Sequence, residues 1–506
     1  MAVAAPSKRD IIEKQSEAMR LHIERQSISK RQMMPSNSTA GTIPMNVTFA
    51  NPKASAFFVD GTTIPEVDFD AGPSWAGLMP ISADINETRQ LFFWYFPPNS
   101  TDPRASDDLV FWTNGGPGCS SLEGFLQENG PISWGWGQYS PSYNEMSWTN
   151  LAHVLWVEQP VGTGFSQGVP NITNDDELAE QLVGFFNQFL DVFAELKGKN
   201  LYLTGESYAG YYVPYIANYI YDNNNSLPLN LQGIMIFDPS TSTDLVQTEI
   251  PAVPFVDNWA PLFNLNSTFT ASIHEQAQTC GYTNYMDEYL KYPPAGPLPL
   301  PNGTVDGSGA CDLWDSIFAA ALLPNPAFNV YRIFDVPPIL FDPLGFPGSF
   351  PNVQLSPLYF ARADVQSAIH APNISWEECA SIDVYVNGTD NSLPSGLSIL
   401  PNVIERNNRT VIAHGLADYV LIANGTRLMI QNLTWNGMQG FQTPIETENL
   451  ILPGMGSMGN MHTERGLLYA EVALSGHMIP QFVPIAAYQL LSYLLGRIDS
   501  PAVAMA

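Results

Sequence analysis

Short apolar runs alternate along the chain with longer stretches in which apolar positions recur at helical spacing, the pattern of strands joined by helices. Asp108-Leu-Val-Phe-Trp-Thr113, His153-Val-Leu-Trp-Val157, Asn200-Leu-Tyr-Leu-Thr204, Gly233-Ile-Met-Ile-Phe237 and Thr410-Val-Ile-Ala413 read as buried strands. Between Glu177 and Leu196, residues Leu182, Phe185, Phe186, Phe189, Leu190 and Phe193 mark the core-facing side of a helix. Phe482 to Leu495 reads as a closing helix. Such an order predicts an α/β fold with a mostly parallel central sheet and helices on both faces, not a sandwich or a bundle.

Between about Thr243 and Leu358 the pattern breaks into Pro-rich and aromatic-rich sequence such as Tyr292-Pro-Pro-Ala-Gly-Pro and Val336-Pro-Pro. This stretch is expected to be an insertion that caps the sheet. The divisions are then a leader over 1–31, a first core segment over 32–242, the insertion over 243–358 and a second core segment over 359–506. A length of 506 residues with 45% apolar and 14% charged positions suits one large core with such an insertion.

The net charge of −29 makes nucleic acid a poor partner. Basic residues nevertheless gather at the start, where Lys8, Arg9, Lys14, Arg20, Arg25, Lys30 and Arg31 accompany only Asp10, Glu13, Glu17 and Glu24. Asp10 to Arg25 reads as a modest amphipathic helix, and the Lys30-Arg31 pair as a pro-segment cleavage site or an ordinary exposed pair. Ala2-Val-Ala resembles the tail of a signal peptide whose hydrophobic part is missing, cytosolic residence being the alternative.

N-x-[ST] acceptors include Asn37, Asn46, Asn86, Asn99, Asn171, Asn266, Asn302, Asn373, Asn387, Asn408, Asn424 and Asn432. That is about a dozen against roughly five expected from composition, which argues for a secretory route and N-linked glycans. The even number of cysteines would then form two disulfides. Cys119, Cys280, Cys311 and Cys379 have no metal-finger spacing, so no metal and no cofactor is expected. No apolar run is long enough to span a membrane.

The sharpest chemical signal is Leu201-Tyr-Leu-Thr-Gly-Glu-Ser207-Tyr-Ala-Gly210, a strand, a tight turn and a helix start. A serine on such an elbow exposes its hydroxyl above the sheet, while Gly205, Ala209 and Gly210 let strand and helix approach. Its base and orienting acid should follow in the order acid, then histidine. His274, His370, His414, His462 and His477 all follow Ser207, so position narrows the choice without settling it. His477 lies where a strand ends in a loop before a helix, and Asp418 similarly follows the strand ending at Ala413. Asn114-Gly-Gly-Pro-Gly-Cys119 supplies a loop whose backbone can approach a ligand, and the N–H groups of Gly116 and Tyr208 are the natural oxyanion donors. Gly454-Met-Gly-Ser-Met-Gly459 matches a dinucleotide motif in spacing but precedes a strand, not a helix, and reads as a loop.

Taken together, Trp112-Thr-Asn-Gly-Gly-Pro-Gly-Cys-Ser-Ser121, Gly205-Glu-Ser-Tyr-Ala-Gly210, His414-Gly-Leu-Ala-Asp-Tyr419 and Ser475-Gly-His-Met-Ile-Pro480 resemble the serine carboxypeptidases. These are secreted and vacuolar α/β-hydrolases that remove C-terminal residues from peptides at acidic pH, and fungal secreted members look most similar. Weaker similarity at Trp156 to Ser166 and Ala363 to His370 extends the resemblance over most of the chain except the insertion. It implies Ser207, Asp418 and His477 as the triad, and Asn114, Gly115, Glu128 and Glu206 beside Trp112 as the site for the substrate's free carboxylate. It further implies the pairs Cys119 with Cys379 and Cys280 with Cys311. Two departures stand out: Tyr419-Val-Leu-Ile-Ala replaces a segment that carries a cysteine in relatives, and the block around Asp238-Pro-Ser lacks the usual Gly-Asn. An acyltransferase on the same chassis, an esterase and a catalytically dead binding protein are the alternatives; retention of both glutamates and of every triad member favours the peptidase.

Overall fold

The computed structural model describes residues 47–223, 226–301, 311–335, 341–345 and 356–502. The leader, Lys30-Arg31, Asn37, Asn46, Asn302 and Val336-Pro-Pro lie outside the described residues.

Fifteen strands are present among the described residues: β1 (Phe58–Val59), β2 (Ser74–Pro80), β3 (Gln90–Phe96), β4 (Asp108–Thr113), β5 (Ile132–Ser133), β6 (Ser142–Tyr143), β7 (His153–Glu158), β8 (Asn200–Glu206), β9 (Asn230–Phe237), β10 (Arg409–Gly415), β11 (Thr434–Trp435), β12 (Met438–Gln439), β13 (Glu448–Leu452), β14 (Gly456–Glu464) and β15 (Leu467–Val472). Eleven of them form one sheet in the order β1-β2-β3-β7-β4-β8-β9-β10-β15-β14-β13. The six from β7 to β15 pair in parallel. Antiparallel strands extend the sheet at both edges, so the parallel character expected from sequence belongs to the centre.

The central strands read as nearly continuous apolar runs because both of their faces are covered. Phe93, Phe111, Leu203, Ile236 and Ile412 face one layer. Trp94, Trp112, Tyr202, Met235 and Val411 face the other, as the alternation of side chains along a strand requires. Helix Asp175–Val192 packs on the first face through Leu178, Leu182, Phe185, Phe186 and Phe189. The Asn174 side chain caps that helix by accepting from Glu177 N at 3.0 Å, and Asp175, Asp176 and Glu177 complement the positive end of its dipole. Helix Pro484–Leu494 covers the opposite face.

Residues 243–358 hold more helix than their sequence suggests. Ile250–Asn258, Ser267–Cys280 and Leu313–Leu322 are α-helical. Their apolar stripes are short and interrupted: Ser267–Cys280 buries only Ile273, Ala277 and Cys280. They share a separate apolar cluster with Tyr419 and Ile422, just beyond Asp418. The disulfide Cys280–Cys311 ties two of these helices together, and Cys119–Cys379 joins segments 260 residues apart.

Two glutamates are buried as structural acceptors. Glu158 takes hydrogen bonds from Ser120 Oγ, from Phe165 N at 2.6 Å and from Trp376 Nε1 at 3.3 Å. Glu249 accepts from Leu313 N at 2.7 Å and Trp314 N at 3.1 Å. Burial pushes the pKa of each up to about 7. An unfolded glutamate releases its proton near pH 4.5, so between that value and about 7 the folded protein holds protons that the unfolded chain has lost, and stability falls as pH rises. We predict that the melting temperature drops by several degrees between pH 4.5 and 7.5, and that Glu158→Gln flattens the slope; calorimetry across this range is the check.

Candidate active site

Strand β8 runs straight into the elbow. Ser207 sits at φ 61°, a left-handed conformation that a residue with a Cβ adopts only when its surroundings impose it. Those surroundings are backbone: Ser207 N donates to Phe237 O at 3.0 Å, and Ser207 O accepts from Gly210 N at 2.9 Å and Ser240 N at 2.9 Å. Helix Ala209–Asp222 begins immediately afterwards, with its positive end toward the elbow.

The loop after β4 lies against this turn. A Cβ on Gly115 would fall 2.4 Å from Tyr208 N and 2.8 Å from Ser207 Cβ, so only glycine permits the approach. The loop is held from its other side by Cys119–Cys379 and by Ser120 N to Glu378 O at 2.7 Å and Ala380 N to Gly118 O at 2.9 Å. Gly115 is thereby kept against the elbow, with Gly116 next to it in the chain, and Tyr208 is fixed by its hydroxyl, which donates to Asp390 Oδ2 at 2.6 Å.

Asp418 and His477 follow the ends of β10 and β15, which are neighbours in the sheet. His477 Nδ1 donates to Asp418 Oδ2 at 2.7 Å, and both residues are buried. That bond places the proton on Nδ1 and leaves Nε2 with a lone pair. The imidazole is further oriented by His477 N to Tyr331 O at 2.7 Å and by the Tyr331 ring packed edge-on at 5.5 Å.

On the other side of Ser207 lies a group of buried acids. Asn114 Nδ2 faces Glu206 Oε1 at 3.0 Å, Glu128 Oε1 at 3.2 Å and, closer still, Glu123 Oε2. Trp112 Nε1 donates to Asn114 Oδ1 at 2.7 Å and fixes which way the amide points. One further oxygen on each of Glu123, Glu128 and Glu206 is buried without a partner. Burial, and then the mutual repulsion of these carboxyls, pushes the pKa of Glu123, Glu128, Glu206 and the adjacent Glu378 well up.

His274, on helix Ser267–Cys280, pairs with Asp257, and His462, on β14, lies between Glu448 and Glu464, so neither joins this site. Ser207, Tyr208, Asn114, Gly115, Gly116, Glu206, Asp418 and His477 are the residues singled out from sequence that end or follow β4, β8, β10 and β15, with Glu128 joined to them through Asn114. Glu123 and Glu378 were not among them. The glutamate oxygens lie within 4.8 Å of one another, as do ligand atoms of Asp238, His414 and Asp418, spacings that would suit a cation. Internal partners account for both groups: Asn114 bridges the glutamates, and His414 spends Nδ1 on Thr426 and Nε2 on Leu421 O.

The serine carboxypeptidase family model matches residues 65–281 and 350–497. The chain belongs to the serine carboxypeptidase family. It is 51% identical over 473 residues to a probable serine carboxypeptidase of Arthroderma benhamiae, covering 89% of this chain and 88% of that one. It is 45% identical over 482 residues to the serine-type carboxypeptidase F of Aspergillus niger, covering 89% of each. Among solved structures, a prohormone-processing carboxypeptidase from Saccharomyces cerevisiae superposes with a TM-score of 0.69 at 22% identity, covering 88% of this chain and 98% of that one. This last likeness is one of fold, the α/β-hydrolase fold. The protein is a serine-type carboxypeptidase, a hydrolase that releases C-terminal amino acids from peptides.

The tight packing of Gly115 on the elbow of this carboxypeptidase generates a test. Gly115→Ala should push the loop off Tyr208 and lower kcat by about 100-fold or more, the scale of losing one oxyanion donor, with a much smaller change in KM. Steady-state kinetics on a blocked dipeptide, with circular dichroism to verify folding, measures it.

Proposed function

We propose that Ser207 is the nucleophile, His477 its base and Asp418 the residue that orients the base and stabilises its charged form, acting on peptide C-termini at acidic pH. In this reading His477 Nε2 takes the Ser207 proton as Oγ attacks the last peptide carbonyl, and the backbone N–H groups of Gly116 and Tyr208 hold the developing oxyanion. His477 then returns the proton to the departing amino acid, and water, activated by the same histidine, releases the shortened peptide from Ser207.

The observation that carries the choice of substrate is the Asn114 hub with Glu128 and Glu206 beside the nucleophile. Protonated carboxyls at low pH are donors, and together with Asn114, Gly115 and Trp112 they suit the free carboxylate of a peptide terminus. As pH rises they ionise and repel it. His477 sets the opposite requirement, because it must be neutral to act as base, and the optimum is a compromise on the acidic side.

The same reading extends to the chain's organisation and route. Residues 243–358 act as a cap over a core made of 32–242 and 359–506; the separate apolar cluster around Tyr419 supports this division. The protein is secreted or vacuolar and carries N-linked glycans. Asn86, Asn99, Asn266, Asn373, Asn387 and Asn408 are exposed, which supports their use as acceptors. Asn432 is only half-exposed, at the end of helix Ala423–Asn432, where its Oδ1 accepts from Leu298 N at 2.9 Å. Among the described residues no helix is long and apolar enough to cross a membrane.

The deciding experiment offers one N-blocked dipeptide with its C-terminus free or as the amide, at mildly acidic pH, with Ser207→Ala as the blank. Rapid release from the acid, weak release from the amide and none from the blank is expected; silence on both from an enzyme still labelled by a serine-reactive phosphonate would move an acyltransferase to the front. His477→Ala and Asp418→Asn should each cost about 10⁴-fold in kcat, as in other triads. Glu206→Gln should shift the pH profile of kcat/KM upward or flatten it, since an amide cannot ionise; an unchanged profile would sink the carboxylate-recognition account.

A further inference from the structure

Asp238 follows β9 and belongs neither to the glutamate hub nor to the proposed triad, yet it is fully buried behind Asp418. One oxygen of each aspartate and a ring nitrogen of His414 lie within 4.8 Å of one another. Asp238 Oδ1 accepts from Gly415 N at 2.7 Å, while Oδ2 is buried with no partner. Asp418 is held differently. Its Oδ1 accepts from Val420 N at 2.8 Å and Leu421 N at 3.3 Å, and its Oδ2 from His477.

The groups that face Asp238 supply no settled positive charge. His414, on β10, has Nε2 at 3.4 Å from Asp238 Oδ1 and 3.7 Å from Asp418 Oδ2, but that nitrogen donates to the nearer Leu421 O at 2.6 Å, and Nδ1 accepts from Thr426 Oγ1 at 3.0 Å, which uses both nitrogens in the neutral form. Burial favours that neutral form. Glu206, at the end of β8, is another acid, and His477 lies beyond Asp418. Two carboxylate charges this close in a dry site repel each other strongly, so the pair retains a proton. Asp418, with three donors, is the better carboxylate; Asp238, with one donor and an idle oxygen, is the better acid.

We propose that Asp238 is a positioning residue that stays protonated and donates its Oδ2 proton to Asp418, forming a hydrogen bond behind the catalytic pair. This rests on the reading of Ser207, His477 and Asp418 as the triad. Burial and the charge of Asp418 both raise the proton affinity of Asp238, in the direction required. The donor spreads the charge of Asp418 and weakens its hold on an imidazolium proton. His477 then returns to its neutral, basic form at lower pH than it would beside an unshared carboxylate. Activity thus extends toward the acid range in which the glutamate hub binds its ligand. The position is also where the chain departs from the family's usual Gly-Asn block.

The test is the pH profile of kcat/KM on the blocked dipeptide for the full-length protein, Asp238→Asn and Asp238→Val, with Ser207→Ala in parallel. Asn keeps a carbonyl for Gly415 N and an N–H for Asp418, and should hold the acid limb close to that of the wild type. Val removes the donor and should move the acid limb up by about 0.5–1 pH unit, a loss of roughly three- to tenfold near pH 4 that largely disappears at pH 6.5. An acid limb moved equally by Asn and Val, or moved by neither, overturns the proposal. Should Val fail to fold, infrared difference spectra at pH 5 decide: a buried protonated-acid C=O band present in the wild type and lost in Asp238→Asn supports it, and its absence overturns it. Turnover persisting in Ser207→Ala would instead condemn the triad reading.

Discussion

Asn114 Nδ2 meets three glutamate oxygens in a place from which water is excluded, and three negative charges cannot be sustained there together. Much of the architecture serves to hold that arrangement. Adjacent parallel strands β4 and β8 deliver Asn114 and Glu206 to one end of the sheet, where an open α/β sheet leaves its crevice. Trp112 orients the amide from below. A Cβ on Gly124 would meet Trp112 Nε1 at 2.1 Å, so the turn carrying Glu123 and Glu128 can close over the hub only with glycine at that position. Burial pushes these acids toward their neutral form, because the fold leaves them no solvent and, among the described residues, no cationic partner in the hub.

Such a hub is only partly legible in a sequence. Ser207, the Gly-Gly loop and Asp418 each follow an apolar strand, and a residue directly after a parallel strand must emerge at the carboxyl end of the sheet whatever the rest of the chain does. The five central strands read from sequence all form, because strands covered on both faces are simply runs of apolar residues. The edge strands Ser74–Pro80 and Gln90–Phe96 were not singled out: they pair antiparallel with each other and announce no helix crossover. The helices of residues 243–358 were hidden for a different reason. Proline sits inside Ile250–Asn258, and the apolar stripe of Ser267–Cys280 is too thin to register as a period.

Glu123 shows most clearly where reading by periodicity stops. It stands five residues before Glu128, a spacing that separates two side chains widely around an α-helix. The segment Gly124–Asn129 is π-helical, and the wider turn brings residues five apart onto one side. No residue type signals that change of pitch, so a third acid of the hub was invisible until the backbone was traced. Glu378 was hidden by distance instead, arriving beside the hub because Cys119–Cys379 ties its strand-like segment to the loop after β4.

A carboxypeptidase of this kind has to reconcile two groups that want opposite pH. In the reading proposed above, the glutamates bind an anion only while they keep their protons, and the histidine works only after losing its own. Lowering the working pH for the first group makes the second idle unless something behind it loosens the imidazolium. The physical device available is the same one in both places, a carboxyl kept neutral by burial and by a neighbouring charge. In the hub it would present a proton to the ligand; behind Asp418, Asp238 would present one to the proposed triad. Glu158 and Glu249 carry the principle into the scaffold, since each is buried and keeps its proton up to about pH 7. Recognition and folding stability are then favoured by the same proton activity, and the proposed Asp238 contact lets the base work there, so the chain's departure from ordinary charge rules at these buried positions is one adaptation expressed at several sites.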